Sequence, residues 1–138
     1  MLQTILLVED DEIDAMCVNR SIKKLKNNIR INRTVNGEDA LNYLNNPTQE
    51  KPDLILLDIN MPRMNGIEFL TQIKNHPKLR LIPAVILTTS QLEIDRLHAF
   101  NLNVAGFMMK PIELDKFLVT MDTVIQYWTL SLNTRNCS

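Results

Sequence analysis

The chain has 138 residues, 45% of them apolar and 22% charged, close to the soluble globular average, so a single hydrophobic core can form without staples. Fifteen basic against sixteen acidic residues, a net charge of -1, leave no basic surplus of the kind a nucleic-acid or polyanion partner needs. There is no apolar run near the ~20 residues that span a bilayer, no basic-then-apolar leader, and no CxxC pair (Cys17 and Cys137 are far apart), so the chain is expected to be cytoplasmic, off the membrane, with free thiols.

Ile5-Leu6-Leu7-Val8 is a short apolar run that breaks off at Glu9-Asp10-Asp11-Glu12. A strand apolar on both faces belongs in the middle of a parallel sheet. From Ile13 to Lys26, apolar Ala15, Val18, Ile22 and Leu25 recur at helical spacing, and Lys23, Lys24 and Lys26 suit the negative end of a helix dipole. Residues Ile29 to Val35 alternate apolar and polar like a half-buried edge strand. Asn36-Gly37 makes a turn into a short helix, Gly37 to Asn45, and a polar loop follows.

Leu54-Ile55-Leu56-Leu57-Asp58 is a second apolar run ending in a carboxylate. The PRMNG segment at 62–66 is turn chemistry, and Ile67 to Lys74 is a helix through Ile67, Leu70 and Ile73. After a loop from His76 to Ile82, Ala84-Val85-Ile86-Leu87 is a buried strand ending in Thr88-Thr89-Ser90. Leu92 to Phe100 reads as a helix with Ile94, Leu97 and Phe100 turned inward. Val104 to Met109 is the fifth strand, followed by Lys110-Pro111. The last helix, Glu113 to Leu130, carries Leu114, Phe117, Leu118, Met121, Val124 and Ile125 on one side. Five strands alternating with five helices imply right-handed crossovers and a parallel sheet covered on both faces, an α/β architecture. Residues 1–130 form one domain, 131–138 a short polar tail, and no output domain is expected.

The ends of the strands carry groups that a core would not choose: Glu9 and Asp10 after the first, Asp58 after the third, Thr88 after the fourth and Lys110 after the fifth. One such aspartate is most simply a helix cap. Four coincident strand ends are harder to dismiss, because ligands bind at the carboxyl ends of strands in an open α/β sheet. Crowded carboxylates raise one another's pKa, and a hard cation relieves that. Oxygen ligands in small number suit Mg²⁺, and no His or Cys is placed to select zinc. A carboxylate beside Mg²⁺ and an ammonium is a setting for phosphoryl transfer, with aspartate as covalent acceptor and Thr88 as a donor to the phosphoryl oxygens.

The stretches LLVEDD, LLDINMPRMNG, ILTTS and GFMMKP, in that order over residues 4–127, resemble the bacterial two-component response-regulator receiver domain. The resemblance implies a flavodoxin-like doubly wound (βα)5 fold with strand order 2-1-3-4-5, the order known for the chemotaxis member of that family. It makes Asp58 the phosphoacceptor. It makes Asp10 and Asp58 Mg²⁺ ligands, with Glu9 acting mostly through a water and Asn60 through its backbone carbonyl. Thr88 and Lys110 would hold the phosphoryl group, Phe107 would be the rotating aromatic, and Lys110–Pro111 would be a cis peptide. Two departures stand out: the acidic pair is Glu-Asp and not Asp-Asp, and Thr89 is bulkier than the small residue often found there, narrowing access to the phosphate.

By the same resemblance the partner is a sensor histidine kinase. The NHPKLRLIP loop and the TTS strand end resemble stand-alone receivers that serve phytochrome-type kinases. Output is expected through the face of the fourth helix, fifth strand and fifth helix, by protein binding or a homodimer, with Trp128 as an exposed anchor. A haloacid-dehalogenase-type phosphatase needs a second Asp two residues after its nucleophile, where this chain has Asn60. An electron carrier of flavodoxin type needs a phosphate loop of small residues where this chain has four acids.

Overall fold

The computed structural model describes residues 3–25 and 28–131, with only the backbone of Leu25. The helix end expected at Lys26, the polar tail beyond 131 and Cys137 lie outside the described residues. Strand β1 is Thr4–Val8, followed by helix α1 Glu12–Leu25, β2 Arg30–Thr34, α2 Gly37–Asn45, β3 Leu54–Leu57 and α3 Gly66–Lys74. A short 3₁₀ turn, Leu79–Leu81, precedes β4 Ala84–Thr88, α4 Glu93–Asn101, β5 Gly106–Met109 and α5 Leu114–Leu130. The five strands are parallel in the order β2-β1-β3-β4-β5, the doubly wound arrangement expected.

Alternation along the central strands divides the core in two. Leu6, Val8, Ile55, Leu57, Ala84 and Ile86 point to one face, where Ala40, Phe69, Leu70, Ile73 and Ala99 cover them. Ile5, Leu7, Leu54, Leu56, Val85 and Leu87 point to the other, beneath Ala15, Val18 and Ile22 of α1 and Phe117, Met121, Val124 and Ile125 of α5. Burial on both faces is why these strands read as continuous apolar runs. β2, at the edge, is only half-buried, as its alternation suggests.

Helix α4 departs from expectation. Ile94, Leu97 and Phe100 were expected to face the core, yet each is more than half exposed, and among the helix residues only Ala99 is buried. The inward stripe is Asp95, Ala99 and Leu102, spaced four and three apart, and the small Ala99 makes the seat. A cleft of about 360 Å³, lined by Met61, Asn65, Ile67, Leu92 and Asp95 among others, separates α4 from the entry to α3. Leu114, also expected inside, is exposed at the first turn of α5. The loop expected over 76–82 contains the 3₁₀ turn, whose N–H groups at Lys78 and Leu79 donate to His76 Nδ1 at 3.1 Å each.

Candidate functional site at the carboxyl edge of the sheet

Three of the residues singled out at strand ends are held by one further rung of the backbone ladder. Glu9 N–H donates to Thr34 O at 3.0 Å, Asp58 N–H to Val8 O at 3.1 Å, and Lys110 N–H to Thr88 O at 2.8 Å. The sheet itself therefore aims these side chains into one crevice. Capping of α1 falls to Asp11, whose Oδ1 accepts from Ile13 N–H at 2.9 Å and Asp14 N–H at 3.1 Å. Glu9 and Asp10 are thereby released from that duty.

The loop after β3 is shaped by glycine. A Cβ on Gly66 would lie 2.3 Å from Asp58 O and 2.8 Å from Ile59 Cα. Only a residue without a side chain lets α3 begin against the backbone that follows β3, with Gly66 N–H donating to Ile59 O at 3.0 Å. Asn65 and Glu68 close the capping box at that helix start. Arg63 takes the left-handed conformation, φ 62°, that turns the loop.

Ligand atoms of Glu9, Asp10 and Asp58 lie within 4.8 Å of one another, Glu9 and Asp58 buried and Asp10 exposed. The ammonium of Lys110, 4% exposed, sits among carboxylates: it donates to Glu9 Oε1, to Asp14 Oδ2 at 2.8 Å and to Asp58 Oδ2 at 3.2 Å. Burial pushes the Glu9 carboxyl up to about 7, against the opposing pull of Lys110 and with help from Asp58. Burial alone would depress Lys110, but hydrogen bonds to Asp14 and Glu9 and the charge of Asp58 hold it above the usual lysine range. The two shifts differ in origin: burial raises Glu9, whereas the carboxylates around the ammonium raise Lys110.

Thr88 is fully buried at the end of β4, and its Oγ1 accepts from Ser90 N–H at 3.1 Å. Ser90 Oγ in turn donates to Asp95 Oδ2 at 2.6 Å, which ties this strand end to α4. Asn60 N–H donates to Asp58 Oδ1 at 3.4 Å. Phe107 is half-buried against the α2–α3–α4 side of the core, 6.3 Å from the Phe100 ring.

Two expectations fail here. No peptide bond among the described residues is cis, so Lys110–Pro111 is trans, and Lys110 reaches the carboxylates from that backbone. The trans form is the default of an X–Pro bond by about 0.5–1 kcal/mol. Trp128 is not an exposed anchor. It is partly buried, extends the stripe of Met121, Val124 and Ile125 on α5, packs on the α1–α5 side of the core, and meets the 64%-exposed Tyr127 edge-on at 4.9 Å.

Sequence reasoning also missed two residues. Asp14 looked like any acid in a first helical turn. Arg33 looked like the polar half of an alternating strand, but its Nε donates to Glu9 O at 3.0 Å and its Nη2 to Asp10 O at 3.2 Å, while Nη1 pairs with Glu12 at 3.1 Å. It clamps the backbone of the acidic loop. Neither role has a local signature, because both depend on partners in another element.

Three carboxylates and no nitrogen or sulfur donor make a set that fits a hard divalent cation. With the ammonium beside it, the arrangement can neutralise charge on an incoming phosphoryl group.

Residues 5–122 match the response regulator receiver domain model. The chain is 35% identical over 127 residues to a probable methanogenesis regulatory protein, FilR2, of Methanothrix harundinacea, covering 90% of this chain and 82% of that protein. It is 32% identical over 130 residues to the response regulator Rcp1 of Synechocystis, covering 91% and 88%. The Mn²⁺-bound crystal structure of Rcp1 superposes with a TM-score of 0.88 at 30% identity, over 95% of this chain and 97% of that one. The phosphorylated cyanobacterial phytochrome response regulator RcpA gives 0.91 at 29% identity, over 96% and 98%. Fold, strand-end chemistry and relatives agree, and the chain belongs to the response regulator receiver domain family.

Proposed function

We propose that Asp58 accepts a phosphoryl group from the phosphohistidine of a sensor histidine kinase, and that the protein signals through the altered surface that follows. The observation that carries the reading is the Lys110 ammonium 3.2 Å from Asp58 Oδ2, within a carboxylate set fit for a divalent cation. One Asp58 oxygen attacks phosphorus; the P–O bond forms as the P–N bond breaks, and the electron pair returns to the imidazole nitrogen. Glu9, Asp10, Asp58 and the Asn60 carbonyl would hold Mg²⁺, which supplies charge neutralisation when bound. Lys110 then turns an ammonium proton to the phosphoryl group. The Thr88 hydroxyl accepts from Ser90 N–H and keeps its own proton to donate.

The readout runs from Thr88 to α4 and β5. Thr88 and Ser90 connect to Asp95 of α4, and Phe107 of β5 lies under Phe100 of the same helix. Movement of Thr88 toward a phosphoryl group, followed by Phe107, shifts the population of α4–β5–α5 surfaces. Ile94, Leu97 and Phe100 on α4 and Met109 on β5 are exposed apolar groups on those elements, and they support a homodimer or a protein partner there. The relation to Rcp1 and RcpA supports a phytochrome-type kinase as donor, in the cytoplasm. No helix among the described residues is long and apolar enough to cross a membrane.

The test is incubation with acetyl phosphate and Mg²⁺, read by intact mass. One phosphoryl group is expected on the wild-type chain and none on Asp58→Asn; labelling that persists in the variant, or its absence in both, rejects the reading.

A further inference from the structure

Lys110 has three ammonium protons and three carboxylate partners, Glu9, Asp14 and Asp58. Glu9 and Asp58 also belong, with Asp10, to the oxygens that fit a divalent cation, and Asp14 is not among them. The two buried carboxylates therefore answer to two cations, and Asp14 to the ammonium alone. Exposure separates them as well: the Asp14 side chain is 30% exposed, against 3% for Glu9 and 8% for Asp58. A carboxylate still in contact with water can hold an ammonium without the full desolvation cost that the buried pair bears. Nor does α1 need the Asp14 carboxylate as its cap, since Asp11 fills that place.

From this asymmetry we propose that Asp14 is a positioning residue, the counter-ion that keeps the Lys110 ammonium at the site while Glu9 and Asp58 turn to a divalent cation. The inference rests on the metal-assisted acceptor reading above. Without Asp14, Lys110 satisfies its protons on Glu9 and Asp58 and competes with the cation at both. With Asp14 in place, the lysine leans toward α1, stays charged, and remains within reach of a group arriving on Asp58. Asp14 acts through Lys110, so its effect on cation binding depends on that lysine being present.

The test is a double-mutant cycle on the full chain: wild type, Asp14→Asn, Lys110→Ala and the double variant. Each is titrated calorimetrically with Mn²⁺ at fixed ionic strength, above the pH at which Glu9 titrates, with the melting temperature of the metal-free protein measured alongside. Asp14→Asn is expected to weaken Mn²⁺ binding roughly three- to tenfold with Lys110 present, and distinctly less in the Lys110→Ala background. Equal factors in the two backgrounds, or a lowered melting temperature with unchanged affinity, would make Asp14 an ordinary surface charge or helix-terminus acid and overturn the proposal. Lys110→Met, which keeps the stem, replaces Lys110→Ala if the latter does not fold. A wild-type chain that binds no Mn²⁺ and is not labelled by acetyl phosphate removes the functional reading and this inference together. Binding and labelling with an additive cycle remove the inference alone.

Discussion

Lys110 Nζ stands 3.2 Å from Asp58 Oδ2, although their strands β5 and β3 are not neighbours: β4 runs between them. The lysine stem crosses the end of β4 and so passes the position of Thr88, whose carbonyl accepts the Lys110 N–H. Asp58, Thr88 and Lys110 thus stand at the ends of three consecutive strands of the sheet.

Burial and the shared ammonium act on Glu9 in opposite directions, and burial prevails. The carboxyl is pushed by burial from 4.5 to about 7. The folded chain then holds this proton more tightly than the unfolded chain does. The contribution to stability is complete below about pH 4.5 and is lost as pH rises through about 7. Cation binding needs the ionised carboxylate, so it runs the opposite way. Mn²⁺ affinity measured by calorimetry is expected to rise between pH 5 and 7, roughly the window of the shift, and to level above it, with proton release at the lower end. Glu9→Gln should flatten that dependence, and an unchanged slope in the variant would assign the proton elsewhere.

Gly66 is expected to be intolerant of the smallest side chain. The Cβ of Gly66→Ala would meet backbone atoms of Asp58 and Ile59, which cannot rotate away. A loss of about 2 kcal/mol, within the range for forced overpacking, is expected in urea denaturation. Cation affinity should fall with it, because the displaced backbone is that of Asp58.

Helix α4 supplies a contrast between two of its residues. Leu97→Ser is expected to change stability by no more than about 0.5 kcal/mol, as an exposed position allows. Ala99→Leu, at a fully buried position beneath the same helix, should cost about 1–3 kcal/mol. If the α4 face is an interface between copies, Leu97→Ser should also lower the dimer fraction in sedimentation. A large stability loss from Leu97→Ser would restore the inward orientation that its hydrophobicity first suggested.

That helix shows where reading from sequence stops. The central strands were legible because Leu6, Ile55, Leu56 and Ile86 are buried on one face or the other of a sheet covered on both sides. Glu9, Asp10 and Asp58 were legible because a charged group straight after such a strand needs a reason, and Lys110 because it closes the fifth strand at the same edge of the sheet. In α4 the exposed Ile94, Leu97 and Phe100 are more hydrophobic than the Ala99 that makes the contact, so apolarity pointed to the wrong face. A single aromatic such as Trp128 suggests an anchor until its place on the stripe of α5 is known. Asp14 and Arg33 act on groups far away in the chain, Lys110 and the Glu9–Asp10 backbone, and no local pattern marks such pairs.

The proposed function places the phosphoryl group on one carboxylate, that of Asp58. An acyl phosphate is reduced by borohydride, which converts the aspartate that bore it to homoserine. After incubation of the wild-type chain with acetyl phosphate and Mg²⁺, reduction and peptide mass spectrometry should place homoserine at position 58 and leave Glu9, Asp10 and Asp14 unchanged. Homoserine at another aspartate, or none at position 58 in a chain that has gained a phosphoryl group, would mean that Asp58 is not the acceptor.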